Sequence, residues 1–154
     1  MKVLALLPDG YGCYGGIAQY NIDFLEALAG SENVREIRVL ARHGNLIARA
    51  PNKVQSYRTV TNKYLYSSMS FVDLAISRPD VIFCGHVLMV PLAKLLRSIT
   101  GAKLVCQLHG TEIWNDVDRS IIDGLAEANM VLCVSRDTEQ RYKSLTSFQS
   151  DNSR

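Results

Sequence analysis

Short apolar runs and longer amphipathic stretches take turns along this chain. "KVLALLP" (2–8) is continuously apolar, the pattern of a strand buried on both faces of a sheet. Ile17, Tyr20, Phe24, Leu25 and Leu28 then recur at helical spacing, with Gly30 as a stop. "REIRVLA" (35–41) reads as a second strand, and a polar segment after it holds a weak strand at 54–58. Leu65, Met69, Val72 and Ile76 mark the buried face of a helix ended by Arg78-Pro79, since the residue before proline avoids the helical region. "DVIFCG" (80–85) is the next strand, and a helix from near Met89 to Thr100-Gly101 tolerates Pro91 in its first turn. "KLVCQLHG" (103–110) and "NMVLCVS" (129–135) are further strands. Between them Ile121, Ile122 and Leu125 predict a short helix capped by Asp116 or Asp118. Ser135 caps the last helix, whose first turn holds Asp137 and Glu139 to suit the helix dipole.

This alternation predicts an α/β fold, a doubly wound, Rossmann-like parallel sheet with helices on both faces. Residues 1–145 form one domain in this reading, and 146–154 form a polar tail expected to be disordered. A chain of 154 residues suits one domain that buries roughly 70% of its unfolded surface. A net charge of +2 gives no reason to expect nucleic acid as a partner. Among the four cysteines, Cys84, Cys106 and Cys133 lie in or at the end of apolar runs, with no C-x-x-C and no zinc-like spacing. They are expected to be buried, unpaired thiols of a cytoplasmic protein, and no metal site is expected. Pro8-Asp9-Gly10 cuts the first apolar run too short for a signal peptide. No run reaches the roughly 20 apolar residues of a membrane span, so the expected location is the cytoplasm, with at most peripheral membrane contact.

Candidate chemistry begins in "PDGYGCYGGIAQY" (8–20), where Gly10, Gly12 and Gly15 spell G-x-G-x-x-G. In a dinucleotide turn the third glycine packs inside the helix, yet here the helical periodicity starts only at Ile17. Starting the helix at Gly16 and leaving 9–15 as a longer loop avoids about 1 kcal/mol per helical glycine. The second strand then ends in Arg42-His43, with no acid to hold an adenosine ribose. An NADP-binding oxidoreductase stays open, because Arg42 is placed to meet a 2′-phosphate. A non-catalytic α/β binding module also stays open, with the glycines serving only a tight turn. The third reading is an anion site made by exposed N–H groups at a helix N-terminus. No Lys or Arg lies between residues 3 and 34, so a bound phosphate needs positive charge from elsewhere. Other strand ends carry Gly85-His86, His109-Gly110-Thr111-Glu112 and Ser135-Arg136, where ligands sit in open α/β sheets. His86 is read as a structural hydrogen-bonder, and His109 as the stronger candidate because Gly110 and Glu112 accompany it.

Gly15-Gly16 followed by "IAQYNIDFLEAL", then "RPDVIFCGH", "LVCQLHGTEIW" and "ANMVLCVSRDTEQRY", resembles the N-terminal domain of the retaining GT-B glycosyltransferases of family 4, over about residues 2 to 143. The resemblance implies a hexosyl-type transfer from a nucleotide-sugar donor to a saccharide or lipid-linked acceptor, with retained configuration, no bound metal and no separate cofactor. It implies that Gly15 and Gly16 lie against the donor diphosphate and that His109 contacts the donor sugar. Tyr11, Tyr14 and Glu112 become expected acceptor contacts. Such enzymes carry a second Rossmann-like domain with the nucleotide pocket and an E-x7-E motif, neither of which is read in this sequence. The chain is therefore expected to be the acceptor-side half of a GT-B architecture, needing a complementary domain or chain for activity. Seven bases against one acid over residues 35 to 63 add an expectation that Arg42, Arg49, Lys53 and Arg58 gather near the acceptor end. There they would meet an anionic membrane surface or a phosphate-bearing lipid.

Overall fold

The computed structural model describes residues 1–44 and 51–151, the side chains of Ser56 and 147–151 excepted. In chain order the elements are β1 (Lys2–Asp9), α1 (Gly16–Gly30), β2 (Glu36–His43), β3 (Val54–Thr59), α2 (Lys63–Ser77) and β4 (Val81–Cys84). They continue as α3 (Val90–Thr100), β5 (Lys103–Leu108), α4 (Arg119–Ala126), β6 (Met130–Cys133) and α5 (Arg136–Asp151). All six strands are parallel, in the order β3-β2-β1-β4-β5-β6. The sheet is doubly wound, as the alternation predicts. Winding reverses between β1 and β4, where Leu4 pairs with Arg38 on one side and Ile82 on the other. Such a switch point opens a crevice at the carboxyl ends of the strands.

Strand alternation divides the core in two. Leu4, Leu6, Ile82 and Leu104 pack under α2, α3 and α4 against Leu74, Leu96 and Leu125. Val3, Ala5, Leu7 and Val39 face α1, where Leu25 is buried and Phe24 stacks on Phe83 at 4.3 Å. Caps fix the helix starts. The Asn62 carboxamide accepts from the Tyr64 and Leu65 N–H groups, and the Ser135 hydroxyl accepts from Thr138 N–H. Pro91 sits in the first turn of α3, and Gly101 ends that helix at φ 71. Asp118 occupies the N-cap of α4 without a side-chain bond.

Four expectations need correction. The helix at α2 forms, but its buried face is Tyr66, Ser70, Asp73, Leu74 and Ser77, while Leu65, Val72 and Ile76 are exposed. The cause lies in the sheet. Arg38 of β2 and Arg58 of β3 both need a carboxylate, and Asp73 Oδ1 meets them at 3.3 and 3.8 Å. Tyr66 adds a hydrogen bond to the Leu40 carbonyl at 2.9 Å, so the polar side of α2 turns inward. Second, α5 runs on to Asp151 through the segment expected as a tail, because no Gly or Pro interrupts it. Residues 152–154 lie outside the described residues. Third, Cys84 and Cys106 are buried free thiols, but Cys133, on the edge strand, is only partly buried.

The fourth concerns the basic segment, which does not gather at one end. Lys53 precedes β3 at the amino end of the sheet, where it donates to the Ser31 carbonyl at 2.6 Å. Arg58 is held by Asp73, and Arg49 falls outside the described residues. Arg42 and Arg58 each stand one residue from the carboxyl end of their strand, but Arg58 is turned to Asp73, which leaves Arg42 without a carboxylate partner among the described residues.

Candidate functional site

The site grows from four strand ends. β1 delivers Asp9 and then a turn in which Gly10 N–H bonds the His43 carbonyl and Cys13 N–H bonds the Gly10 carbonyl. The turn ends at Gly15, whose φ of 122 and ψ of 164 are open to glycine and strained for other residues. α1 then starts at Gly16, as its periodicity predicts. Its first intrahelical bond runs from Gln19 N–H to the Gly15 carbonyl at 3.0 Å, which leaves the first-turn N–H groups without an intrahelical acceptor.

The two neighbouring glycines differ. Gly16 has no positive φ, and a Cβ built on it meets no atom within 4 Å. Neither backbone angle nor packing among the described residues requires glycine there. By contrast, a Cβ on Gly10 would lie 2.2 Å from the Tyr57 hydroxyl, so the first glycine of G-x-G-x-x-G is explained by an internal contact.

β4 and β5 bring two imidazoles together. His109 directly follows β5; its backbone N–H donates to the Glu112 carboxylate at 2.5 Å, and its Nε2 lies 3.0 Å from the Gly85 carbonyl. A carbonyl only accepts, so Nε2 carries the proton, and in neutral His109 the Nδ1 lone pair is free to accept. The His86 ring stacks on His109 at 6.2 Å and 25°. Its Nδ1 accepts from Leu88 N–H at 3.2 Å, which leaves Nε2 as the donor. The two rings therefore carry the same Nε2–H tautomer side by side. Burial lowers the His86 pKa; the carboxylates of Glu112 and Asp9 act the other way, and His109 reinforces the drop. His86 is thus held neutral at pH 7. Tyr20, one turn into α1 from Gly16, meets the His109 ring edge-on at 5.5 Å and ties the glycine turn to the histidine pair.

Beside this pair lies a cavity of about 340 Å³ lined by Asp9, Ile17, Arg42, His43, His86 and Met89 among others. Arg42 donates to the Thr61 carbonyl at 2.5 Å and lies over the Tyr66 ring, 6.0 Å from its centroid. Among the described residues no carboxylate lies within 4 Å of it, so a half-buried positive charge faces the cavity unneutralised.

The sequence-derived acceptor contacts scatter. Tyr14 is fully exposed at the tip of the turn. Glu112 is engaged by the His109 backbone. Tyr11 is 5% exposed, packed edge-on against Tyr57 at 5.6 Å, and its hydroxyl has no partner among the described residues; burial foremost raises its pKa to about 12. In this conformation Tyr11 belongs to the core under α1 rather than to an accessible surface. Sequence reasoning passed over Asp9 and Tyr20, and it read His86 as a structural hydrogen-bonder. The strand-end rule pointed at His86, and only its stacking on His109 and place in the cavity separate it from a purely structural histidine.

No family model matches the chain, and no curated protein matches it. Solved structures do share its fold. One is Alr3699/HepE of Anabaena in complex with UDP, at TM-score 0.61 and 14% identity, covering 94% of this chain and 41% of that one. Another is the apo form of the lipopolysaccharide outer core galactosyltransferase WaaB, at TM-score 0.60 and 15% identity, covering 94% of this chain and 42% of that one. The chain has the Rossmann-like α/β fold of one portion of these proteins and spans about two fifths of their length.

Proposed function

We propose that this chain is the acceptor-side half of a retaining glycosyltransferase that moves a sugar from a nucleotide-sugar donor to a saccharide or lipid-linked acceptor. The observation that carries the reading is Gly16. It opens the N-terminus of α1 at the switch-point crevice, and nothing among the described residues accounts for its lack of a side chain. The UDP-bound and galactosyltransferase neighbours support a nucleotide-sugar donor.

In this reading the donor diphosphate lies over Gly15 and Gly16, and the first-turn N–H groups of α1 stabilise the charge that grows as the glycosidic C–O bond breaks. The free Nδ1 of His109 accepts a donor-sugar hydroxyl, while Gly85 and Glu112 hold the ring and its backbone in place. The cavity takes the acceptor. Asp9 accepts from its hydroxyls, His86 Nε2–H donates to it, and Arg42 meets a phosphate or carboxylate that it carries. The second domain supplies the nucleotide pocket and the basic residues that the glycine turn lacks, so transfer requires this half to be joined to it.

The test joins this chain to a complementary donor domain and measures sugar transfer together with a thermal melt. Gly16→Val should reduce transfer by at least about 100-fold with an unchanged melt, since the valine side chain enters space that is open in the free protein. His109→Ala should lower turnover about tenfold. A folded Gly16→Val variant that transfers at the parent rate would leave "GYGCYGG" as a turn and nothing more. The unpaired Arg42 at the end of β2 keeps an NADP-binding reading in view; micromolar NADPH binding by the chain alone would favour that reading over transfer.

A further inference from the structure

The chain has one tryptophan, and the fold leaves its ring in the open. Trp114 lies in the connection between β5 and α4 and is 54% exposed. Its backbone is nevertheless fixed. Ile113 beside it is fully buried, and the Trp114 N–H bonds the Thr111 carbonyl at 3.3 Å. The Arg141 guanidinium, reaching over from α5, donates to the carbonyls of Ile113 and Trp114 at 3.2 and 3.0 Å. One exposed apolar residue is ordinary on a protein surface; the groups gathered around this one are not.

Asp137, Gln140, Arg141 and Ser144 follow the i, i+3, i+4 and i+7 spacing of a single face of α5. Together with Trp114 they line an open cavity of about 440 Å³ that shares no lining residue with the crevice cavity beside His86. Neither the Asp137 carboxylate, the Gln140 carboxamide nor the Trp114 indole N–H has a partner among the described residues. These groups define what fits. The indole face carries partial negative charge and attracts the C–H face of a pyranose ring. A free carboxylate accepts from hydroxyls, and a carboxamide both donates and accepts. An anionic ligand fits poorly, because Asp137 stands in the cavity and two Arg141 nitrogens already bond carbonyls. A protein helix also fits poorly, since Trp114 is the one apolar residue in the lining and docked helices need several apolar anchors.

We propose that Trp114 and this face of α5 form a saccharide-binding platform separate from the crevice. A hexopyranose ring of a neutral oligosaccharide stacks on the indole, and Asp137 and Gln140 bond its hydroxyls. The clamped backbone presents the ring already in place, so little ordering opposes binding. The proposal stands independently of the glycosyltransferase reading, because it uses none of the residues given roles in the crevice.

Since Trp114 is the sole tryptophan, its emission reports on the platform in the whole chain. Cellotetraose and maltotetraose are the probes, and at least one should shift the emission saturably with a Kd of about 1 mM. By ligand-observed NMR, Trp114→Ala should bind that probe at least about tenfold more weakly, and Trp114→Phe, which keeps a ring, should lose less. Asp137→Ala/Gln140→Ala should lose at least about fivefold by emission. Every variant should stay folded in a thermal melt, since each substituted side chain is exposed. His109→Ala should bind the probe as the parent does. The proposal is overturned if neither tetrasaccharide shifts the emission, or if folded Trp114→Ala or Asp137→Ala/Gln140→Ala binds as tightly as the parent. Loss of binding in His109→Ala would also overturn it, by placing the saccharide in the crevice. So would an emission shift with UMP and with neither saccharide, which would make the indole a base-stacking surface. A parent dimer on size-exclusion that Trp114→Ala converts to monomer would overturn it too, because a second copy would then cover the ring.

Discussion

Arg38 and Arg42 sit four residues apart on the same strand and point to the same side of the sheet, yet the fold treats them oppositely. Arg38 lies mid-strand under α2, bonded to Glu36 at 2.9 Å and to the fully buried Asp73 at 3.3 Å. Arg42 lies at the strand's carboxyl end, held by the Thr61 carbonyl and the Tyr66 ring, with no carboxylate within 4 Å among the described residues. One arginine is neutralised by its own chain, and the other is left for something from outside. Position along the strand decides between them. Mid-strand, helices seal both faces and an unpaired charge is costly to desolvate, whereas at the switch-point crevice solvent and ligand reach the charge.

The comparison breaks most visibly at Asp73. Replacing it with Ala removes the shared partner of Arg38 and Arg58 and leaves guanidinium charge under α2. Stability should fall by about 3 kcal/mol, because breaking a buried pair strands the remaining charge; urea unfolding measures it. Asp73→Asn should recover part of the loss, since its amide oxygen still accepts from Arg38. A loss under about 1 kcal/mol for the alanine variant would mean that the ionic layer does not determine how α2 faces the sheet.

Arg42→Ala should do the reverse. It removes one carbonyl contact and some packing on Tyr66, which together are worth at most about 1 kcal/mol of stability. In the joined enzyme its effect should fall on the acceptor: about 30-fold lower kcat/KM for a phosphate-bearing acceptor, and little change for an uncharged saccharide. The ratio between the two acceptors is the measurement, because a merely structural arginine would slow both equally.

How much of this was readable from sequence follows the same division. Strands β1, β4 and β5 are runs of apolar residues, and such runs have one stable place in a parallel sheet, so order and fold class were legible. So was the start of α1 at Gly16. The facing of α2 was not, since its cause is a three-way meeting of Arg38, Arg58 and Asp73 from different elements, and Leu65, Val72 and Ile76 have the spacing of a core stripe. Tyr11 and Tyr14 stand three residues apart in one turn, where no periodicity separates the buried ring from the exposed one. The basic segment looked like one cluster because its residues are close in sequence, but Lys53 and Arg42 lie at opposite ends of the sheet. His86 was named at its strand end, while its role rests on the tautomer that the Leu88 N–H selects and on the ring beside it.

The smallest expected effect concerns that histidine and sharpens the contrast between sealed and open charge. Burial foremost lowers its pKa below the ordinary value of 6.5, and Glu112 and Asp9 only partly oppose the drop. The unfolded chain takes up this proton near pH 6.5, whereas the folded chain does so only at lower pH. Folding stability is therefore complete above about pH 6.5 and declines as pH falls below it, until the folded ring also protonates. His86→Asn keeps an acceptor for Leu88 N–H and removes the titration, so its melting temperature should decline less steeply below that pH than the parent's. An anion bound at Arg42 acts in the other direction, since negative charge in the cavity favours imidazolium. Adding inorganic phosphate should accordingly move the NMR titration of His86 upward in the parent and leave it unmoved in Arg42→Ala. An unshifted parent titration would mean that the charge left open at the end of β2 recruits no anion.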